Sequence, residues 1–352
     1  MLEVKKEGVV LSKTRLLFEN EGVLNPAAIR IGDNVHLFYR AVSKGNFSTI
    51  GYCLLVGPLL VSHRLNLPLI KPEYDYERHG IEDPRIVKID DTYYLTYTAY
   101  DGENALGALA ISDDLINWKK QGIIVPQVTY DQFLQYVGTT IAESPKYKRY
   151  NDYDSVLENR PSSLLLWDKN LIFFPRKIQN QLYFLHRIKP DMQIVVAVNA
   201  ISDLTPDFWK SYFTDFDKHI ILTPKFDHES SYIGGGCPPV ETQYGWLIIY
   251  HGVHDEITGY VYSACAALLD LQNPQIEIAR LPYPLFKPEF SWELKGEVNN
   301  VCFPTGAVVF DDTLYIYYGA ADERIACASL SLSDLLTELL LNPTTHANSN
   351  IT

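Results

Sequence analysis

Positive charge is what this sequence is short of. Its 352 residues carry 30 Lys and Arg against 43 Asp and Glu, a formal net charge of −13 at neutral pH. Nucleic acid and anionic membrane surfaces demand clustered cations to neutralise phosphates, so both are set aside as partners. Cysteine is scarce as well: Cys53, Cys237, Cys265, Cys302 and Cys327 are odd in number, scattered, and without CxxC or Cys/His spacing. That argues against a disulfide framework and against a zinc site, and predicts buried thiols in a reducing compartment with no bound metal. There is no run of about 18 apolar residues and no apolar stretch of signal-peptide length at the N-terminus, so a cytoplasmic protein is expected. Helical periodicity is sparse. The one fair candidate spans 332–342, with Ser333 or Asp334 as its N-cap.

What the chain has in quantity is aromatic residues, 24 Tyr and 15 Phe, and they fall in a pattern. A turn with Gly, Asp or Asn followed by an alternating aromatic strand starts at Ile31, Ile89, Lys177, Thr242 and Phe310. Each is the signature of a hairpin strand. A second strand of small and aliphatic residues follows each copy, starting at Thr49, Leu106, Val195, Tyr262 and Ile325. Five pairs at intervals of roughly 55 to 90 residues fit radial blades of about four strands. The expected fold is therefore all-β, a five-bladed β-propeller with a short C-terminal helix. Its small residues are expected to pack round the crowded axis, and the segment around 9–20 to close the ring against the last blade. Residues 1–342 are read as one domain and 343–352 as a polar tail. Residues 127–160 break the alternation and read as an insertion over one face, either a lid or a contact between copies in a homo-oligomer, or an inert surface loop.

Propellers bind ligands at the mouth of the axial channel, so polar residues flanking the first alternating strand of each blade are candidates. Asn25, Arg40, His186, Arg187, His251 and Asp322 hold such positions, as do the strings GIEDPRI from Gly80 and GGGCPP from Gly234. Glu82 and Asp83 are adjacent, so in extended chain their side chains point to opposite faces and one of them enters the channel. A carboxyl held among aromatics has its neutral form favoured, as a general acid requires. The competing reading makes EDPR a turn in which Arg85 pairs with Glu82. Trp118, Trp167 and Trp246 are further candidates, as platforms for sugar rings, with Trp246 also suited to plain core packing.

The linked motifs NPAAI at Asn25, FYRAV at Phe38, GIEDPRI at Gly80, YFLHR at Tyr183, IGGGCPPVET at Ile233 and YYGAAD at Tyr317 resemble glycoside hydrolase family 130 over about residues 20 to 330. The resemblance implies a five-bladed propeller acting on β-mannosides. It implies Asp83 as the catalytic acid, passing its proton by way of a mannose hydroxyl, and Asn25, Arg40 and Asp322 as holders of the mannosyl ring. It places phosphate at Lys169, Arg187 and His251. Tyr232 departs from it, standing where many phosphorylases have a basic residue. The reaction implied is inverting phosphorolysis of a β-mannoside oligosaccharide to α-mannose 1-phosphate, with inorganic phosphate as co-substrate and no metal or organic cofactor. The alternative is inverting hydrolysis, which needs a carboxylate base across the sugar from the acid. Glu229 and Glu241, flanking GGGCPP, are the candidates for that base. A non-catalytic carbohydrate-binding propeller is the reading from a different class.

Overall fold

The computed structural model describes residues 2–155, 164–257 and 259–344. Residues 156–160 of the insertion and 345–352 of the tail lie outside the described residues. The strands form five antiparallel blades in chain order. Blade 1 runs Gly22–Ile31, Asn34–Ser43, Phe47–Val56, Leu60–Arg64; blade 2 runs Gly80–Ile89, Thr92–Tyr100, Ala105–Ser112, Lys119–Ile123. Blade 3 is Lys169–Phe173, Leu182–Arg187, Met192–Val198, Ile220–Leu222. In blade 4 the first strand is split into Tyr232–Gly235 and Val240–Thr242, followed by Gly245–Glu256, Gly259–Leu269 and Glu277–Arg280. Blade 5 takes Cys302–Phe310, Thr313–Ala320 and Arg324–Ser331, and borrows its outer strand, Lys5–Leu11, from the start of the chain. The chain is a five-bladed β-propeller. Each expected hairpin turn joins the first and second strands of one blade.

Ring closure against the last blade thus falls to residues 5–11, which the expected segment around 9–20 overlaps only at its start. The first strands stand side by side about the axis: Gly22–Ile31 packs against both Gly80–Ile89 and Cys302–Phe310. The Thr305 hydroxyl donates to the carbonyl of Pro26 at 2.8 Å. Arg85, fully buried, reaches from blade 2 to the carbonyls of Gly235 and Gly236 in blade 4 and is not paired with Glu82. The small-residue strands are third in their blades and do not line the axis. Their small side chains let neighbouring blades pack face to face, as Ala264, Ala266, Ala326 and Ala328 do in the core between blades 4 and 5.

Four blades share a polar latch that the sequence reading missed. A fully buried Glu, set just before the first strand, accepts a bond from a Tyr hydroxyl of the second strand and meets a cation of the outermost strand. In blade 1 these are Glu19, Tyr39 at 2.8 Å and Arg64 at 2.8 Å. In blade 2 they are Glu77, Tyr97 at 2.6 Å and Lys120 at 2.6 Å. Blade 4 uses Glu229, Tyr250 and Arg280, and blade 5 uses Glu293, Tyr318 and Lys6, the last supplied by the first strand of the chain. A buried carboxylate is tolerable only when paired and hydrogen-bonded, and each of these is. Blade 3 substitutes Asp168, His186 and Tyr212, joined by bonds of 2.7 Å and 2.7 Å.

The insertion is helical where it is described: α1 (Tyr130–Tyr136), α2 (Thr139–Ala142) and α3 (Pro145–Ser155). Thr129 and Gln132 cap α1 reciprocally, a pairing that its non-alternating sequence hid. Phe133 packs edge-on against Phe213 and Phe216, and Tyr147 donates to Asp191 at 2.7 Å. Tyr150 donates to the Ser231 carbonyl at 2.6 Å, so the insertion is fastened over blades 3 and 4. The C-terminal helix is Leu332–Leu340, capped by Ser331 and not by Ser333 or Asp334. Among the described residues no helix is long and apolar enough to cross a membrane.

Candidate active site

One mouth of the channel opens into a cavity of about 440 Å³, roofed on one side by Tyr130, Tyr147 and Tyr150 of the insertion. Of the candidate residues, Asn25, Arg40, Asp83, Lys169, Arg187 and Asp322 line it. Glu82 lines it too, against the expectation that adjacent carboxylates diverge. The reason is a register slip between Glu82 and Arg85 with Asp83 in the left-handed region, φ 50°, which turns both side chains the same way.

The carboxylates are held by cations, not by aromatics. The Arg40 guanidinium meets Glu82 at 2.8 Å and Asp83 at 3.7 Å, Asn25 donates its amide to Asp83 at 2.7 Å, and the Lys169 ammonium lies 3.6 Å from Glu82. Burial works to raise the Asp83 carboxyl, but Arg40, Arg85, the Asn25 bond and Lys169 together hold it below the usual range. Asp83 is therefore ionised in the free protein, the reverse of the sequence expectation. Asp322 goes the other way. Burial pushes its carboxyl up to about 6, with Arg40 opposing and Asp83 and Glu82 adding repulsion.

Blades 3 and 4 supply the positive side. Lys169 and Arg187 are paired partners on adjacent strands of blade 3. Lys189, which the sequence reading passed over, also lines the cavity, 4.1 Å from the centre of the Tyr232 ring and 5.4 Å from that of Tyr150. The Arg187 guanidinium lies 5.5 Å from the same Tyr232 ring. Tyr232, the departure from the family pattern, is thus an aromatic wall for two cations brought in from the neighbouring blade.

Three candidates sit elsewhere. His251 is fully buried behind Arg187, whose Nη1 approaches its Nε2 at 3.4 Å, and it is not on the cavity wall. Burial first, then Arg187, Arg85 and Lys189, depress its pKa well below the ordinary value, so it is a neutral backing for Arg187 and adds no positive charge. Gly234 makes this possible, since a Cβ there would stand 2.6 Å from the His251 ring and 2.8 Å from Arg187. Glu229 is the blade 4 latch, its Oε2 also accepting the backbone N–H groups of Lys225 and Phe226. Glu241 is exposed and forks onto Arg176 at 2.7 and 2.8 Å. Neither glutamate lines the cavity, so neither is placed to serve as a hydrolytic base. Of the tryptophans, Trp167 lines the cavity, whereas Trp118 packs edge-on against Phe38 and Trp246 is core.

A propeller whose axial cavity sets carboxylates on one side and cations on the other has the build of a carbohydrate-active enzyme. Comparison with known proteins narrows this. A family model described as beta-1,4-mannooligosaccharide phosphorylase matches residues 9–340, and the chain belongs to glycoside hydrolase family 130. It is 32% identical over 349 residues to the 1,2-beta-oligomannan phosphorylase of Thermoanaerobacter sp. (strain X514), covering 95% of this chain and 99% of that one. A beta-1,2-mannobiose phosphorylase of the same organism is 33% identical over 329 residues, covering 88% and 90%. In fold the chain is similar to the beta-1,2-mannobiose phosphorylase of Listeria innocua in its beta-1,2-mannobiose complex, with a TM-score of 0.71, 22% identity, and coverage of 97% and 100%.

Proposed function

We propose that this protein cleaves β-mannosides by inverting phosphorolysis, releasing α-mannose 1-phosphate. The observation that carries the reading is one cavity with Asp83 on its blade 2 wall and Lys169, Arg187 and Lys189 on its blade 3 wall. A dianion taken out of water needs several charge-assisted donors, and these three provide them, with neutral His251 behind Arg187. Asn25, Arg40 and Asp322 hold the mannosyl ring, and Asp83 protonates the leaving oxygen through a mannose hydroxyl. Phosphate also prepares the acid. Its negative charge screens the cations that keep Asp83 ionised, so binding the nucleophile raises the Asp83 carboxyl toward the protonated form the reaction requires. The single displacement needs no metal and no organic cofactor.

Residues 1–342 act as one catalytic unit in this scheme, and the reducing cytoplasm suits the five free thiols, all buried. The test is product analysis of β-1,2-, β-1,3- and β-1,4-mannobiose incubated with and without phosphate. Strict dependence on phosphate, with α-mannose 1-phosphate formed, is expected. Free mannose produced at the same rate without phosphate would replace this reading by hydrolysis.

A further inference from the structure

The first strands of blades 1, 2 and 3 are broken at equivalent places by a residue in the left-handed region: Asn25 at φ 49°, Asp83 at φ 50° and Asn170 at φ 55°. Each lies inside a register slip, between Leu24 and Ala27, Glu82 and Arg85, and Lys169 and Ile172. In blades 1 and 2 the slip delivers a side chain into the cavity, and those two side chains bond to each other. Blade 3 delivers Asn170 in the same way. It lines the cavity, is only 6% exposed, and its buried side-chain oxygen has no hydrogen-bond partner. A buried polar atom left unsatisfied costs a fold roughly 1–3 kcal/mol, so such an atom on a residue that lines a cavity is one whose contact a ligand can complete by a small turn of the side chain.

We propose that Asn170 is a substrate-contacting residue that accepts a hydrogen bond from a hydroxyl of the bound mannosyl unit. The assignment rests on the phosphorolytic reading above for the identity of the sugar. Chemistry favours the sugar over the nucleophile: a carboxamide oxygen needs a donor, and a mannosyl ring offers several hydroxyls where a phosphate dianion offers a single P–OH that is surrounded by acceptor oxygens. Around the ring Asn170 stands between Asp83 of blade 2 and the Tyr232 wall of blade 4, and directly follows Lys169. The mannosyl unit is therefore read from a third blade, next to the residue that faces the phosphate.

Asparagine also tolerates the left-handed backbone, so a purely conformational role must be separated from a binding one. Asn170→Gly does this, because glycine keeps the backbone and removes the amide. We expect kcat/KM for the mannoside at saturating phosphate to fall about tenfold or more, with the phosphate KM and the Tm little changed. Asn170→Asp keeps an acceptor oxygen, and its mannoside KM should stay nearer the parent value than that of the glycine variant. Parent-like mannoside kinetics in Asn170→Gly would overturn the proposal, as would a rise confined to the phosphate KM. Should Asn170→Gly lose Tm, the contrast with Asn170→Asp decides: equal mannoside KM values for the two would equally refute it. The parent enzyme is assayed with and without phosphate alongside. Turnover that ignores phosphate sinks the phosphorolytic reading alone, since the mannoside effect of Asn170→Gly is read independently.

Discussion

Replacing Asp322 by Asn should stabilise the protein while disabling it. The parent carboxyl is pushed from 3.8 to about 6, by burial above all, so its ionised form costs the folded state roughly 3 kcal/mol relative to the unfolded chain. The unfolded chain releases this proton near 3.8 and the folded protein near 6, so between those values the folded state binds more protons. Stability contributed by this group is then complete below the lower value, falls as pH climbs through the window, and stays low above it. An amide carries no such cost. Urea unfolding of Asp322→Asn and parent across the pH range should show the variant ahead by up to about 3 kcal/mol at roughly pH 8, the lead shrinking towards zero below about pH 4. Mannoside turnover should be lost over the same range, because a carboxylate that lines the sugar cavity is gone. A lead that does not vary with pH, or no lead at all, would refute the claim that burial and the neighbouring carboxylates oppose ionisation at this site.

Lys189→Met should raise the phosphate KM by about 10- to 100-fold, the worth of one charge-assisted bond, and move the mannoside KM far less; initial rates with each substrate varied in turn will check it. Tyr250→Phe removes a hydroxyl from buried Glu229 and should cost about 1.5–3 kcal/mol in denaturant unfolding with mannoside kinetics unchanged. Glu241→Ala should leave turnover at the parent level, since the side chain is exposed and bound to Arg176; a large loss of rate in a well-folded Glu241→Ala would return it to candidacy as a base.

The five blades were legible because each carries a tight turn followed by an alternating aromatic second strand, and nothing tertiary is needed to see period two. The positions of Arg40, Arg187 and Asp322 followed from the same repeat. What it hid were departures from regular strand geometry. Glu82 and Asp83 share a face only because a left-handed residue interrupts the strand, and in sequence that interruption reads as ordinary alternation. Asn170 was hidden in the same way. Lys189 escaped because its role depends on Tyr232, 43 positions away in the sequence and on the next blade. The latch did leave a trace: Glu19 and Tyr39 are separated by 20 residues, as are Glu77 and Tyr97, and Glu229 and Tyr250 by 21. Aligning the repeats on those glutamates would have shown Glu229 to be structural before it was weighed as a base. The protonation of Asp83 was misjudged because Arg40 and Lys169, which with nearby Arg85 hold it ionised, come from other blades and are not adjacent to it in sequence.

The borrowed outer strand of blade 5 bears on how the molecule is made. Residues 5–11 leave the ribosome more than 300 residues before their partners at 325–329. At about 5–20 residues per second that is a wait of roughly 15 to 60 seconds, during which the leading segment has no sheet to join. Until it docks, Glu293 lacks Lys6 and the fifth blade presents a bare edge to other nascent chains. A circular permutant that starts at Gly22 and carries residues 2–21 after Thr344 would synthesise blade 5 in spatial order. It should give a higher soluble yield than the parent at equal expression, with the mature ring unchanged.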